Sequence, residues 1–442
     1  MRKKLVIAAA IVLLLLLSFI GVLRYRQYSA YKVPVHAMAK TIIKLNADDL
    51  VWLLVRNYGI NFKKKITQKN KKDKDASLNM GVWLPGNIFV YNLSSLKPTT
   101  FFCTLPVHDE QDFILYAQRN WKLSFSKKEG INYGSNEAGT LSVACNKDYV
   151  SLAWSPAKEN VQTHLKEILL SKLLPELRPE VTRLLQDQEQ PIVAIHGNNI
   201  ASLDFKGKQL LLHATMGNFE NLELPATFDQ TSNAANTHSY VSLNGMLHPS
   251  YFKKLYNIRQ YQLSSDSVLA YFQGYLNLQI GPTTLQKDSI SNYEYDDNFE
   301  KITRTTVTDV QVPSLQLSVK AAPGLLQYLL KQQMVLPGME LNPEIFPLYK
   351  VRLQEQNGLL QFTSGSKNAL LTVIGSDNFL TLKMDVVTTA SQLKIPFVDG
   401  YIQNMEVLSL LGSRKEGKLI VEGKLLFKGN AIKEVIDLVK RL

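Results

Sequence analysis

The chain has 442 residues, more than one compact domain usually holds, so we expect about two or three domains or one domain built from repeated halves. Apolar residues make up 45% of the chain and charged residues 20%, a composition that excludes disorder for most of its length. The only two cysteines, Cys103 and Cys145, exclude a disulfide-stapled miniprotein, an iron–sulfur cluster and a zinc site built from paired thiolates.

The formal net charge of +12 is concentrated in two segments. Residues 1–32 carry six basic residues and no acidic one, and residues 61–75 add +5 from seven lysines and two aspartates, so the rest of the chain is close to neutral. This distribution argues against a nucleic-acid partner. The lysine loop, Lys63–Asp75, has no periodicity and predicts a solvated loop; contact with anionic lipid or an acidic partner is the alternative.

Leu5–Leu23 is an uncharged run of nineteen residues, and at ~1.5 Å per residue a helix of that length spans roughly 28 Å, about one hydrocarbon core. Arg24 follows directly, with no small-residue cleavage site and no nearby cysteine for a lipid. We predict an uncleaved single-pass signal anchor, with cleavage as the alternative. Residues 1–4 are then a cytoplasmic tail, residues 24–32 a stalk, and the rest lies in the periplasm or outside the cell.

After the stalk, the sequence predicts strands with interspersed helices. Asn46–Val55 begins with an N-cap residue and reads as a helix, and β-branched and aromatic runs read as strands. The predicted helices of this region are Asn46–Val55, Asp109–Arg119 and Ala157–Leu174. The predicted strands are Thr41–Leu45, Ile88–Leu93, Thr99–Val107, Trp121–Phe125, Thr140–Cys145 and Tyr149–Trp154, with three more between residues 190 and 228.

The order of elements repeats beyond a polar boundary at residues 229–238. Three correspondences carry this: Ser239–Leu243 with Pro249–Tyr256 matches Thr41–Val55, Ser314–Val319 with Pro323–Gln332 matches the Thr99 strand with its helix, and Lys418–Leu426 with Ala431–Leu442 matches Thr140–Leu174. We therefore predict an α+β fold of two similar halves, residues 33–230 and 236–442. Each is expected to be an antiparallel sheet with helices packed on one face.

Three segments resemble a group of bacterial envelope proteins of unknown function: Leu105–Phe113 (LPVHDEQDF), the strand pair around Cys145 and Tyr149, and the opening Val33-Pro34-Val35-His36-Ala37. The likeness covers most of residues 33–180 and, more loosely, 236–442. It implies an N-terminal anchor or lipid attachment and two halves, each ending in a strand pair and a helix. This chain departs from the group in lacking a lipobox cysteine and in carrying the lysine loop, and the resemblance implies no activity.

No motif for catalysis, nucleotide binding or a metal site is present. Ser376-Asp377-Asn378 matches one element of penicillin-recognising enzymes, and Ser124–Lys127 and Ser250–Lys253 match their Ser-x-x-Lys. No Lys-Thr-Gly follows, so we interpret Gly375–Asn378 as a turn between strands. The histidines are scattered, and only a site assembled from distant strands would use them: His36, His108, His164, His196, His213, His238 and His248.

Two further features leave alternatives. The acidic run Asn292–Glu300 could offer oxygens to calcium, but it lacks the glycine and spacing of a calcium loop and predicts a solvated hairpin tip. Cys103 and Cys145 both lie on the apolar parity of their strands. Neighbouring strands would allow a disulfide, and separated strands would leave two small buried hydrophobes.

Together these features predict a non-catalytic binding or scaffold protein of the bacterial cell envelope, held in the cytoplasmic membrane by one helix. The alternatives are a carrier of lipid or another apolar ligand and a hydrolase with a dispersed site. We predict no catalytic residue, no cofactor and no metal ligand. The expected partners are the membrane and an envelope protein or a lipid.

Overall fold

The chain forms two compact units that meet between Phe205 and Lys206. The computed structural model describes residues 21–22, 24–58, 80–170, 177–217, 222–232, 236–247, 255–258, 260–295, 299–356, 358–365, 373–393 and 402–440. Most of the predicted anchor, residues 5–20 and 23, and the whole lysine loop lie outside these residues. Within the described ranges, no helix has the length and apolar character needed to cross a membrane.

The first unit is built from five helices and a large antiparallel sheet, counted over its described residues. Its helices are α1 (24–30), α2 (Ala47–Tyr58), α3 (Glu110–Trp121), α4 (Gln162–Leu170) and α5 (Pro179–Gln186). Its strands are β1 (Ala39–Asn46), β2 (Asn87–Leu93), β3 (Phe101–Pro106), β4 (Ser124–Lys128), β5 (Ile131–Ser135), β6 (Leu141–Cys145), β7 (Tyr149–Trp154), β8 (Ile192–His196) and β9 (Asn199–Lys206). The strands pair in the order β4-β5-β6-β7-β3-β2-β1-β8-β9.

Local capping explains where the helices of this unit begin. The Asn46 side chain accepts a hydrogen bond from the backbone N–H of Asp49 and starts α2, and Asp109 starts α3 in the same way. Helix α4 starts five residues later than predicted. Lys158 has a left-handed backbone (φ 55°), which breaks a helix that would begin at Ala157.

Helices cover both faces of the first sheet, so the prediction of helices on one face is wrong here. On one face, α4 and α5 pack with Phe102 of β3 and Ala153 of β7 in the larger core cluster. On the other face, α3 packs with Leu105 of β3 and Leu152 of β7. These strands are apolar at both parities, so each face needs its own cover.

The segment expected to be a stalk, residues 24–32, is part of the first unit, where residues 24–30 form helix α1 and a turn follows. Ala30 and Tyr31, at its end, are buried in the larger core cluster. The Tyr31 ring lies 5.2 Å from that of Phe89. Tyr31 belongs to the hydrophobic core, and its burial raises the pKa of its hydroxyl to about 12.

Nine further strands of the antiparallel pairing belong to the second unit, together with four described helices, and we call these nine strands the second sheet. The helices are α6 (Ser265–Tyr271), α7 (Gly324–Lys331), α8 (Val386–Leu393) and α9 (Ala431–Val439). The sheet strands are β10 (Gln209–Met216), β13 (Ser239–Asn244), β17 (Phe272–Tyr295), β18 (Lys301–Ala321), β19 (Arg352–Gln356), β20 (Leu359–Thr363), β22 (Asn378–Asp385), β23 (Met405–Lys415) and β24 (Lys418–Phe427), and three two-stranded ribbons use β11 (Leu222–Glu223), β12 (Phe228–Thr231), β14 (Met246–Leu247), β15 (Leu255–Ile258), β16 (Tyr261–Ser264) and β21 (Val373–Ser376).

The second sheet runs in the order β10-β24-β23-β22-β13-β17-β18-β20-β19. Because β10 pairs with β24, the chain from Lys206 onward belongs to this unit. The internal boundary therefore lies earlier than the expected one at residues 229–238, where β12 forms instead.

The two sheets share part of their pairing pattern. In each unit three strands form a meander, β1-β2-β3 and β13-β17-β18, and a helix follows, α3 and α7. A later strand then pairs with the third strand, β7 and β20, and another with the first, β8 and β22. The third predicted correspondence is wrong, because β7 pairs with β3 whereas β24 pairs with β10 and β23.

Candidate functional site

The structure separates most of the residues that sequence motifs had brought together. Ser124 and Lys127 lie on β4 of the first unit, while Ser376 ends β21 in the second; Ser250–Lys253 lies outside the described residues. The Ser376 hydroxyl accepts the backbone N–H of Asn378, which is the contact of a turn between β21 and β22. The described ends of the acidic run adjoin the β17–β18 hairpin, whose last pair is Tyr295 with Lys301, and residues 296–298 lie outside the described residues.

The two cysteines are free thiols on strands that are not neighbours. Strand β7 lies between them: Cys103 pairs with Leu152 and Cys145 with Val150. Two strand spacings amount to roughly 9.5 Å, beyond the Cα separation of a disulfide. Burial raises the pKa of each thiol to about 12, so neither is a reactive thiolate at neutral pH.

One cluster of potential metal or proton ligands does form in the described residues, and no spacing in the sequence indicated it. His36 precedes β1, and His164 and Glu167 lie one turn apart on α4. Glu167 Oε2 lies 3.0 Å from His36 Nε2 and 3.2 Å from His164 Nδ1. His36 is buried, whereas about half of the Glu167 side chain is exposed.

The hydrogen bonds of His36 decide what the cluster can do. Its Nδ1 lies 3.1 Å from the backbone N–H of Met38, which can only donate. The ring proton therefore sits on Nε2 and is donated to Glu167. A metal at Nε2 would need the opposite tautomer, so the arrangement favours a hydrogen-bonded contact between the N-terminal segment and α4. We call the contact of Glu167 with His36 and His164 the clasp.

The clasp predicts a pH-dependent contribution to stability. The hydrogen bond from His36, followed by that from His164, holds the pKa of Glu167 below its usual range. A lowered carboxyl pKa stabilises the fold above the ordinary glutamate pKa and loses that effect as the pH falls through the folded value. Allowing for solvent screening, we expect Glu167→Gln to lower the free energy of unfolding by about 1 kcal/mol at pH 7.

Urea unfolding at pH 7 and in acid measures this contribution, and the difference from the native chain should vanish in acid. Glu129→Gln is the matched control. Glu129 also pairs with a basic side chain, that of Lys166, but it is exposed. An equal loss in both variants, or a loss for Glu167→Gln that persists in acid, would contradict the clasp.

A second candidate is a polar cleft of about 700 Å³ in the first unit. Lys44 lines it, and its Nζ donates to the backbone carbonyls of Leu185 and Gln188 at 2.7 and 2.5 Å. Burial lowers the pKa of Lys44 to about 8. The lining also includes Asp49 and Glu189, so the cleft combines both charges and does not select a ligand of one sign.

The most extensive feature is an apolar row that crosses the whole second sheet. Register pairs connect its members strand by strand: Leu212, Gly423, Leu410, Leu382, Val241, Leu278, Leu317, Phe362 and Leu353. A Cβ on Gly423 would lie 2.7 Å from Leu410 Cδ2 and 3.0 Å from Leu212 Cβ. The leucines on either side therefore meet across this glycine and make the row continuous.

Two helices, α7 and α8, contact parts of this apolar face, and much of the row is only half-buried. Helix α7 packs Leu325 and Leu326 against Leu353 and Leu360, and Thr389 of α8 hydrogen-bonds Ser239 at 2.7 Å. Six residues of the row, on strands β10, β23, β22, β13, β17 and β18, are only half-buried: Leu212, Leu410, Leu382, Val241, Leu278 and Leu317. We call these six residues the leucine trough.

The opposite face of the same sheet is polar. The row beside the trough reads Thr381, Ser242, Asn277, Ser318, Gln361 and Gln354 in register. Ribbon β12–β21 covers part of this face, and there the Tyr275 hydroxyl accepts the Thr231 backbone N–H. A polar face can be hydrated or hydrogen-bonded. Of the two faces of the second sheet, the one with the trough therefore carries the half-buried apolar surface.

The alternation of apolar and polar residues in the strands of the second sheet predicts the trough, although none of the site predictions above uses it. Strand β17 alternates as Leu276, Asn277, Leu278 and Gln279, and β18, β20 and β22 alternate in the same way. Strict alternation is typical of a sheet with one apolar and one polar face. Strands β2 and β3 lack it, and both faces of the first sheet are covered.

Comparison with known proteins assigns no family to the chain. No family model and no curated protein matches it. Among solved structures, crystal form I of TP0453 matches with a TM-score of 0.23 and 10% identity over 77% of this chain and 90% of that chain. Crystal form IV matches with a TM-score of 0.23 and 13% identity over 78% and 95%. Likeness at this level carries no argument about fold or function, so the resemblance to envelope proteins stays an expectation.

Proposed function

We propose that the protein is a non-catalytic, membrane-anchored binding protein of the bacterial cell envelope whose second unit holds the acyl chain of a lipid in the leucine trough. The observation that carries this is the unbroken apolar row with a half-buried centre. At about 25 cal/mol per Å² of apolar surface removed from water, such a strip stabilises any apolar occupant that covers it. This proposal is the carrier alternative that the sequence leaves open.

The shape and chemistry of the trough favour an acyl chain over a protein segment. The trough has an aliphatic side chain on each of six strands and no charged residue in its row. A peptide would bring backbone N–H and C=O groups that this surface cannot hydrogen-bond. An acyl chain brings none.

The sequence supports a location of the protein at a membrane. Leu5–Leu23 is long and apolar enough to anchor the chain, which would place the trough beside a bilayer, the source of acyl chains. We also propose that the two units are diverged copies, because their first three strands, following helix and two returning strands pair alike. In this account the first copy kept a filled core and the second opened a binding face.

Photolabelling of the full chain in nanodiscs that contain a diazirine phospholipid tests the binding function. We expect label on second-unit peptides, and Leu382→Gln should reduce it about tenfold, because a polar group in the trough costs on the order of 1–2 kcal/mol of apolar contact. The matched control is Lys383→Gln, on the next residue of β22 but exposed on the polar face. It should label like the native chain.

A thermal melt of each variant separates lost binding from lost folding, and Leu278→Gln repeats the test on β17. Equal labelling of Leu382→Gln and Lys383→Gln in folded protein would contradict acyl-chain binding in the trough. A native chain that labels only near residues 5–23 would do the same.

A further inference from the structure

Helix α2 of the first unit is apolar on every side for nearly two turns. Leu50–Val55 is an unbroken run of six apolar residues, whereas an ordinary surface helix has one apolar stripe. Only part of this run can face the sheet: Leu50, Leu53 and Leu54 are half-buried, while Val51 and Trp52 are exposed. Trp52 keeps 65% of its surface in solvent. Within the part of the chain that the structure describes, the outward side of α2 is thus an exposed apolar surface.

Helix α1 is fixed rigidly beside α2. The Arg26 guanidinium pairs with Asp48 in the first turn of α2 at 3.2 Å and donates to the Leu84 carbonyl at 3.0 Å. The α1 backbone lies directly on Gly86, where a Cβ would come within 2.8 Å of the Gln27 nitrogen. The start of α1 therefore has a defined position on the surface of the first unit.

More apolar side chains surround this junction. Trp83 and Leu84 adjoin the Arg26 contact and are exposed, and Tyr25 is exposed at the start of α1. Asp48 and Trp52 are four residues apart and share one side of α2, so Trp52 lies a turn away from the ion pair. We call the exposed residues of this surface the tryptophan face: Tyr25, Val51, Trp52, Trp83 and Leu84.

The charges around this face suit an anionic surface. Arg24 and Arg56 are exposed at the start of α1 and in the last turn of α2. The two acids of α2 are engaged, because Asp48 pairs with Arg26 and Asp49 accepts the Asn46 amide. Glu189 is an exposed acid that lines the same cleft as Arg24. The lysine-rich segment follows α2 in sequence. Tryptophan and tyrosine flanked by arginine and lysine are the side chains that favour the membrane–water interface.

We propose that the tryptophan face rests in the interface of an anionic bilayer, the same bilayer that holds residues 5–23. The inference rests on the membrane anchorage in the proposed function, but not on the trough. Because α1 continues directly from the apolar run and is locked to Asp48 and Gly86, the bilayer that takes the anchor is brought against the start of α1 and its neighbour α2. The first unit is then held flat on the membrane.

Tryptophan quenching by brominated lipid tests this, because all four tryptophans, Trp52, Trp83, Trp121 and Trp154, lie in the first unit. The probe is the full chain in nanodiscs of phosphatidylcholine and phosphatidylglycerol, with and without dibrominated acyl chains. We expect quenching of the native chain, loss of most of the quenched signal in the double variant W52F/W83F, and retention in W154F. Trp154 is the matched control, exposed on β7.

The possible results test the membrane anchorage and the tryptophan face separately. A chain that does not co-purify with nanodiscs refutes the anchorage and, with it, the tryptophan face. A chain that co-purifies but shows no quenching, or keeps its quenching in W52F/W83F, refutes the face alone. If iodide reaches Trp52 and Trp83 freely in nanodiscs but not in native membranes, the face binds a protein and the proposal is wrong.

Discussion

Replacing Phe102 by alanine is expected to lower the free energy of unfolding of the first unit by about 3–5 kcal/mol. Phe102 is fully buried on β3, and its ring stacks on Tyr91 at 6.0 Å and meets the edge of His164 at 6.3 Å. Removing it leaves a cavity between the sheet and α4, the helix that carries Glu167. Urea unfolding followed by tryptophan fluorescence reports on this unit.

Phe101→Ala is the matched control, because the preceding residue of β3 points to the other side of the sheet. Phe101 is half-buried and stacks on the exposed Trp154 at 6.4 Å. We expect a loss of about 1 kcal/mol, since less apolar area returns to water. Equal losses in both variants would contradict the assignment of Phe102 to the larger core.

The second large effect depends on pH. Burial lowers the pKa of Lys44 from 10.5 to about 8, so between these values the unfolded chain binds a proton that the folded chain does not. The stability that Lys44 provides, relative to a residue that does not titrate, therefore rises with pH across this window. Compared with Lys44→Met, the native chain should gain about 3 kcal/mol between pH 8 and 10.5.

Paired urea titrations of the native chain and Lys44→Met, in reducing buffer, measure this gain. Cys103 and Cys145 have raised pKa values and destabilise the fold at high pH, but they do so in both proteins and cancel in the difference. Parallel stability curves across the window would show that Lys44 is not buried against the Leu185 and Gln188 carbonyls.

Local chemistry made much of the secondary structure predictable. Asp109 caps α3 and Asn46 caps α2 as their side chains indicate. The bend at Asp377, inside the turn predicted at Gly375–Asn378, also follows from local residues. In each case the deciding contact spans only a few residues, so the sequence contains it.

Contacts between distant residues were not predictable in this way. His36 and Glu167 are 131 residues apart, and no pattern links them. The covering of both faces of the first sheet was readable in principle, because β3 is apolar at both parities, from Phe101 to Leu105. The alternation in β17 was readable too, and it marks the sheet whose apolar face stays half-buried.

The two units differ in how the faces of their sheets are covered. The first sheet has a cover on each face and supports the tryptophan face, which would position the protein on a membrane. The second sheet has one polar face and one leucine-rich face whose centre is half-buried. In the proposed function, an apolar ligand covers this half-buried centre.

Native mass spectrometry of the full chain, released from nanodiscs of its own membrane lipids, tests the central claim of acyl-chain binding most directly. After release from the nanodiscs, we expect the native chain and Lys383→Gln to keep a discrete lipid-sized addition in mass, and we expect Leu382→Gln to lose it. A bare protein mass for the native chain, or an addition that Leu382→Gln retains in full, would contradict it.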